Sequence, residues 1–201
     1  MSLILASASP RRRELLLAAG IGFEVVATDI PEVPEPGEAP QAFAERMALQ
    51  KAKAIASWRA NDWVLGADTI VVVDGTILGK PRDENDAARM LRMLSARQHE
   101  VITAVCICKV SSGIMRCDCQ SETTRVEFSK LSEEDIAFYV STGEPMDKAG
   151  AYGIQGIASR WIPRIEGDYS NVVGLPVALV WSMLRERGVV GNGAEPPSLK
   201  T

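Results

Sequence analysis

Three consecutive arginines begin a predicted helix close to the N-terminus of the chain. An apolar run over residues 3–6 has the length of a buried strand, and Ser9 and Pro10 then occupy positions typical of a helix N-cap and first helical residue. The arginines at residues 11–13 would lie at the positive end of the helix dipole, where each cation costs roughly a few tenths of a kcal/mol. Such an arrangement favours an anion at the helix start, so we interpret it as a phosphate site. A solvated basic surface is the alternative.

Asp68 is the second residue whose surroundings suggest chemistry. It lies inside the apolar, β-branched segment of residues 63–73, which is typical of a buried strand. A carboxylate there costs several kcal/mol unless it binds a cation or is well hydrogen-bonded. We therefore interpret Asp68 as a functional carboxylate, with a satisfied structural aspartate or a bulge as the alternative.

Further polar residues lie in apolar or glycine-rich surroundings, and their types suit a triphosphate with Mg²⁺ or Mn²⁺. The set is Ser7, Ser9, Arg11, Arg12, Glu32, Lys51, Asp68, Lys80, Lys148, Gln155 and Asp168. The single histidine, His99, lies in a polar segment that predicts a surface residue, so a Ser/His/Asp or Cys/His nucleophile is disfavoured. Neither a Walker A loop nor a G-x-G-x-x-G follows a strand. With these mechanisms disfavoured, the residue types indicate metal-assisted attack of water on phosphorus.

Composition limits the class of protein further. The 22 Lys and Arg against 26 Asp and Glu leave a net charge of −4, which argues against a general nucleic-acid-binding protein. No apolar run approaches the roughly 20 residues of a membrane span, and a basic-then-apolar signal pattern is absent. We expect a cytoplasmic protein with one domain over residues 1–188 and a disordered tail over residues 189–201.

Hydrophobic periodicity and turn residues predict an alternation of strands and helices followed by long hairpins. Strands are predicted at residues 3–6, 23–27, 63–73, 76–79, 100–110, 114–129 and 158–165. Helices are predicted at residues 10–19, 41–60, 84–94, 132–142 and 176–187, with Trp58 on the apolar face of the second. This pattern is typical of an α/β fold with a mixed sheet.

Four cysteines lie in the last predicted hairpin, which turns at Ser112 and Gly113. A two-residue turn there places Cys108 opposite Cys117 and Cys106 opposite Cys119, on one face of the sheet. The reducing compartment expected for the chain argues against disulfides, which leaves zinc binding or packing as small apolar side chains. Packing is favoured because the neighbouring apolar residues of the same face suit a core.

Five segments in chain order together match one known family. They are Ser7-Ala8-Ser9-Pro10-Arg11-Arg12, Gly66-Ala67-Asp68-Thr69, Gly79-Lys80-Pro81, the glycine-rich run at residues 147–156, and Val173-Gly174-Leu175-Pro176. In residue type and order they resemble the Maf family of nucleoside triphosphate pyrophosphatases. The resemblance covers residues 3 to about 188, nearly the whole chain.

The resemblance implies a two-lobed mixed β-sheet flanked by helices, similar to the inosine triphosphate pyrophosphatases, with a central cleft. It implies hydrolysis of a nucleoside triphosphate to the monophosphate and pyrophosphate with a divalent metal (Mg²⁺, Mn²⁺ or Co²⁺). By position, Asp68 matches the family's proposed general base. The positions linked to substrate choice are matched by Arg11, Thr69 and Gln155, and further cleft positions by Glu32, Lys51 and Lys80.

The segment Tyr152-Gly153-Ile154-Gln155-Gly156 resembles the family branch that acts on dTTP and UTP. The amide of Gln155 can donate to and accept from the O4/N3 edge of a pyrimidine, which a carboxylate cannot do. We therefore expect turnover of dTTP, UTP and modified pyrimidine nucleotides. Asp68 and Glu32 are expected to hold the metal, while Arg11, Arg12, Lys51 and Lys80 neutralise the pyrophosphate.

Two other functions are compatible with parts of the sequence. Because the family is also linked to septum formation, the chain could bind nucleotides as a regulator of cell division with little turnover. An RNA- or DNA-binding module is the other reading of the arginines, but the net negative charge and the lack of interleaved aromatic residues argue against it. The resemblance also suggests a homodimer.

Overall fold

The computed structural model describes residues 2–191, which form seven strands and six α-helices. The strands are β1 (Leu3–Leu5), β2 (Glu24–Val25), β3 (Trp63–Val73), β4 (Thr76–Leu78), β5 (Gln98–Ser111), β6 (Ile114–Glu127) and β7 (Arg164–Glu166). The helices are α1 (Pro10–Ala18), α2 (Pro40–Ala56), α3 (Glu84–Leu94), α4 (Glu133–Ser141), α5 (Tyr169–Val173) and α6 (Val177–Glu186). Residues 192–201, which hold most of the tail predicted to be disordered, lie outside the described residues.

The seven strands form one mixed sheet, which confirms the α/β prediction. Its order is β2-β1-β3-β5-β6-β7, and β4 pairs with β3. Strand β1 runs parallel to β2 and β3, whereas β4 is antiparallel to β3 and β7 is antiparallel to β6. The chain divides into two compact units, and β3, β5 and β6 contribute residues to both.

The first unit contains the residues up to Asp68, residues 103–122 and the residues from Gly174 on. Its core on one sheet face joins β1 and β3 to helices α1 and α6, through Leu5, Leu65, Leu16 and Leu184. Val189 and Val190, at the start of the predicted tail, pack against this core. Helix α2 lies against the opposite face of β3.

The second unit contains residues 69–102 and 123–173. Its core packs α3 and α4 with the second half of β3 and the adjoining ends of β5 and β6. Helix α3 begins after Asp83, whose side chain accepts from the Asp86 amide at 2.8 Å, and α4 begins after Ser132, whose side chain accepts from the Asp135 amide at 3.1 Å. These side chains accept from backbone amides that the helix itself leaves unpaired. Residues of this type therefore mark the first turns of α3 and α4 in the sequence.

Two local predictions were wrong. Residues 158–165 do not form one strand: residues 157–161 form a 3₁₀ helix that buries Ala158 and Trp161, and only Arg164–Glu166 pairs in the sheet. Trp58 is 59% exposed, because α2 ends at Ala56 and the helical periodicity does not continue to it.

The prediction against disulfides was also wrong. Cys106 is bonded to Cys119 and Cys108 to Cys117, which confirms the predicted register but not the predicted thiols. The hairpin brings the Cα atoms of the two pairs to 4.0 and 4.1 Å, so each sulfur meets its partner directly. Cys106 and Cys108 are fully buried, as the packing interpretation expected.

Among the helices of residues 2–191, none has both the length and the apolar composition that crossing a membrane requires.

Candidate functional site

Asp68 is a buried carboxylate in the first unit, and it lies among charged side chains. Its residue is only 4% exposed, and its side chain projects from β3 on the face that α2 covers. The ammonium of Lys51, on α2, donates to Asp68 Oδ1 at 2.6 Å and to Glu32 Oε1 at 2.6 Å. One cation therefore bridges two carboxylates that come from distant parts of the chain.

Gly66 explains how α2 can place Lys51 so close to the strand. A Cβ at Gly66 would lie 2.3 Å from the carbonyl oxygen of Ala48 and 2.7 Å from the amide nitrogen of Ala52, both on α2. Because these are backbone atoms, they could not rotate away from a side chain. The glycine that interrupts the apolar strand is thus required for the close approach of the helix.

The electrostatics of Asp68 combine burial with charges of both signs. Burial raises the pKa of Asp68 above the ordinary aspartate value, Lys51 opposes that rise, and the Glu32 carboxylate adds to it. A carboxylate with a raised pKa is a stronger base than an exposed one, and such perturbed groups concentrate at functional sites.

The carboxylate oxygens around Lys51 are ligands of the kind that hard divalent cations prefer. Asp68 Oδ1 and Glu32 Oε1 each lie 2.6 Å from the Lys51 ammonium, so the two oxygens are separated by no more than twice that distance. The Glu32 side chain is 42% exposed. Two carboxylates on adjoining elements, one of them open to solvent, match the oxygen ligands preferred by Mg²⁺ and Mn²⁺. The residues fit a hard divalent cation.

Arg12 is buried, unlike the solvated surface residue of the alternative interpretation. Its Nε donates to the Gly174 carbonyl at 2.8 Å, and its Nη1 donates to the Ala67 carbonyl at 2.8 Å and to Ser7 Oγ at 3.1 Å. Burial lowers the pKa of Arg12, while Asp68 and Glu32 act to raise it. The guanidinium thus holds the residue before Asp68 and adds positive charge beside both carboxylates.

The other residues predicted at the helix start lie around Arg12. Ser7 is buried and its Oγ also accepts from the Ser9 amide at 3.2 Å. Ser9 precedes α1 as predicted, although it makes no side-chain cap hydrogen bond, and Arg11 is partly exposed on the first turn. The first unit therefore brings together Ser7, Ser9, Arg12, Lys51 and Asp68 with Glu32.

Three predicted residues belong to the second unit. Thr69 follows Asp68 on β3 and is partly exposed, while Lys80, after β4, and Gln155 are exposed. The amide of Gly150 donates to the carbonyl of Gly79 at 3.0 Å, which ties the segment leading to Gln155 to the residue before Lys80. Gly150 has a φ of 68° and no room for a Cβ, since Val71 atoms lie from 2.8 Å away.

Tyr139 and Glu144 anchor the glycine-rich segment on both sides of Gln155, and sequence reasoning missed both. The Tyr139 hydroxyl donates to Glu144 Oε1 at 2.9 Å and accepts from the Gly153 amide at 3.2 Å, while Glu144 Oε2 accepts from the Ile157 amide at 3.2 Å. A Cβ at residue 156 would lie 2.1 Å from Glu144 Oε1, so a side chain there would displace the Glu144 carboxylate from this position. An acid three residues before the glycine-rich run was the available signal.

His99 was predicted on the surface, and this was wrong. It is 3% exposed on β5, where its Nε2 lies 2.7 Å from the Tyr152 hydroxyl and its ring packs edge-on against Phe128 and Tyr152. Burial lowers the pKa of His99 to about 4, so the imidazole is neutral at physiological pH. His99 thus supports Tyr152, three residues before Gln155.

The chain is similar to a known protein family and to named relatives. The model of the family described as "Maf-like protein" matches residues 2–187. The dTTP/UTP pyrophosphatase of Koribacter versatilis is 57% identical over 190 residues, 94% of this chain and 96% of the relative. That of Geobacter metallireducens is 54% identical over 189 residues, 94% of this chain and 97% of the relative.

A solved structure supports the fold at much lower sequence identity. The Ham1 protein of Coxiella burnetii superposes with a TM-score of 0.53 at 14% identity, covering 92% of this chain and 98% of its own. This likeness concerns the fold alone. The family match and the close relatives together cover nearly the whole described chain, so the chain belongs to the Maf family.

Proposed function

We propose that the protein hydrolyses dTTP and UTP, and modified pyrimidine nucleotides, to the nucleoside monophosphate and pyrophosphate. The observation that carries this proposal is the buried Asp68, bridged to Glu32 by Lys51 at 2.6 Å on each side. A buried acid of raised pKa beside a second carboxylate suits activation of water for attack on phosphorus. The names of the close relatives support the choice of substrates.

We propose that Glu32 and Asp68 hold the divalent cation, Mg²⁺, Mn²⁺ or Co²⁺. When bound, such a cation supplies neutralisation of phosphate charge and polarisation of the reacting phosphate group. Lys51 keeps the two carboxylates together and offsets part of the cost of burying Asp68.

Asp68 is the proposed general base. The oxygen of a water molecule forms a bond to the α-phosphorus, the bond from that phosphorus to the β-phosphate oxygen breaks, and the water proton passes to the Asp68 carboxylate. Pyrophosphate leaves with the bonding electron pair. Burial of Asp68 excludes bulk water from the carboxylate and raises its basicity.

The basic and hydroxyl residues are proposed to bind the phosphates. Arg11 and Lys80 offer exposed or partly exposed positive charge, with Ser7 and Ser9 beside the start of α1. Arg12 uses three donor contacts to hold the chain at Ala67, Gly174 and Ser7, so its contribution combines positioning with charge.

Thr69 and Gln155 are the proposed selectors of the base. Gln155 is exposed, and the segment around it is fixed by Tyr139 and Glu144. From this anchored backbone the Gln155 amide can both donate to and accept from the pyrimidine edge, which favours uracil and thymine over bases with a different hydrogen-bonding pattern. A cytoplasmic location and a homodimer also remain proposals.

The direct test is pyrophosphate release from a panel of dTTP, UTP, dCTP, dGTP and ATP, each with Mg²⁺, Mn²⁺ and Co²⁺. We expect dTTP and UTP to be preferred, and Asp68→Asn to reduce turnover by at least about 10²-fold. Asp74→Asn is a matched control on the exposed turn after β3 and should keep full activity. Full activity of Asp68→Asn, or a purine preference of the wild type, would overturn the proposal.

A further inference from the structure

The cysteines of the β5–β6 hairpin form a sulfur cluster that the proposed reaction does not use. The cluster consists of Cys106, Cys108, Cys117 and Cys119, paired as two neighbouring disulfides. All four lie in the first unit, on the hairpin face that also carries Ser121 by strand alternation. Ser121 Oγ donates to Glu45 of α2 at 2.8 Å, so α2 lies on the same side of the hairpin as the sulfurs.

The spacing of the sulfurs is close to that of a thiolate metal site. The Sγ atoms of Cys106 and Cys108, which are not bonded to each other, are 3.9 Å apart. The Sγ atoms of Cys106, Cys108 and Cys117 all lie within 4.8 Å of one another. A zinc–sulfur bond of about 2.3 Å gives a tetrahedron with sulfur–sulfur edges of about 3.8 Å.

We propose that the sulfur cluster, once reduced, binds a thiophilic divalent cation of the Zn²⁺ class. The site would be under redox control, because the disulfides withhold the sulfurs as ligands. In the reduction, a dithiol reductant supplies two electrons and two protons to each disulfide and is itself oxidised to a disulfide. The cation then replaces the thiol protons, which pass to solvent, and thiolate–metal bonds form.

The sulfur cluster is buried on one strand of the hairpin and accessible to solvent on the other. Cys106 and Cys108, on β5, are fully buried, whereas on β6 Cys117 is exposed and Cys119 is partly exposed. A reductant and an ion can therefore reach the cluster from the β6 side, while the β5 side excludes water from the ligands.

Ligand chemistry separates this site from the carboxylates of Asp68 and Glu32. Oxygen ligands favour hard cations such as Mg²⁺, whereas thiolates favour Zn²⁺ and related soft cations. A cation bound to the sulfur cluster would thus leave a spectroscopic signature that a cation bound to the carboxylates cannot produce.

The test uses the full chain, reduced without oxygen by a phosphine that is then removed, and Co²⁺ as the probe. We expect sulfur-to-cobalt charge-transfer absorption that saturates near one equivalent and disappears when Zn²⁺ is added. The unreduced chain, which keeps its disulfides, should show no such absorption. The double variant Cys117→Ser, Cys119→Ser should lose the absorption after the same reduction.

A reduced wild type without sulfur-to-cobalt absorption would overturn the proposal, as would equal absorption from the double variant. Circular dichroism and pyrophosphate release from dTTP check that the variant is folded. If the variant fails to fold, reduced and unreduced wild type still provide the comparison, and equal spectra from the two would also overturn it.

Discussion

Asp68→Asn should abolish turnover and yet make the protein more stable at neutral pH. Burial raises the pKa of Asp68, which means that the folded state disfavours its ionised form relative to the unfolded chain. Asparagine has nearly the same shape, carries no charge and keeps an oxygen that can accept from Lys51. The substitution therefore removes the cost of a buried charge without leaving a cavity.

The size of the effect follows from linkage between protonation and folding. Each unit of pKa shift corresponds to about 1.36 kcal/mol of differential stability. For a chain of this size, each kcal/mol of added stability raises the melting temperature by about 2–4 °C. Asp68 is 4% exposed, so solvent screening reduces this contribution little.

The sign can be checked by varying pH. A carboxyl group with a raised folded-state pKa holds more protons in the folded state, so wild-type stability falls as pH rises from the ordinary aspartate pKa through the raised pKa. The stability advantage of Asp68→Asn should grow across that window and vanish below it.

Thermal unfolding of wild type and variant across that pH range, beside pyrophosphate release, is the assay. Asp86→Asn is the matched control of opposite sign: the hydrogen bond from Arg89 lowers the pKa of Asp86, so the control should lose stability at neutral pH. A lower melting temperature for Asp68→Asn at neutral pH would refute the reasoning, because the Lys51 pair would then outweigh the cost of burial.

Three further substitutions test the supports of the site. Gly66→Ala should cost about 1–3 kcal/mol in chemical denaturation and lower turnover, because its Cβ meets the backbone of α2, whereas Gly22→Ala, with nothing within 4 Å, should be near neutral. Tyr139→Phe removes the hydrogen bond from the Gly153 amide and the one to Glu144, and should raise KM for dTTP more than it lowers kcat in steady-state kinetics. Gln155→Glu should reduce dTTP and UTP turnover relative to other nucleotides without changing the melting temperature, since Gln155 is exposed; unchanged substrate ratios would contradict its role.

Local signals in the sequence were enough to predict the elements that carry the site. Strand β3 was predicted with its observed bounds because its apolar run ends at an Asp-Gly turn, and α3 and α4 start at side-chain caps. The free-energy cost of burying an unpaired carboxylate in such a strand predicted that Asp68 has a cationic or hydrogen-bonding partner. The partner itself, Lys51, lies 17 residues away on another element, and only the fold brings the two together.

The errors arose where tertiary contacts decide the outcome. His99 follows two polar residues, yet strand alternation places it on the same face as the buried Val101, which was an overlooked signal. The disulfides were excluded on the expected compartment rather than on geometry, although the predicted register already paired the cysteines correctly. The anchoring by Tyr139 and Glu144 depends on a folded segment with no periodicity of its own.

The central claim, attack of water on the α-phosphorus, is tested most directly by hydrolysis of dTTP in heavy-oxygen water. Mass spectrometry of the products locates the oxygen that comes from the attacking water. We expect the heavy oxygen in the thymidine monophosphate and none in the pyrophosphate. Heavy oxygen in the pyrophosphate, or release of orthophosphate as the first product, would contradict it.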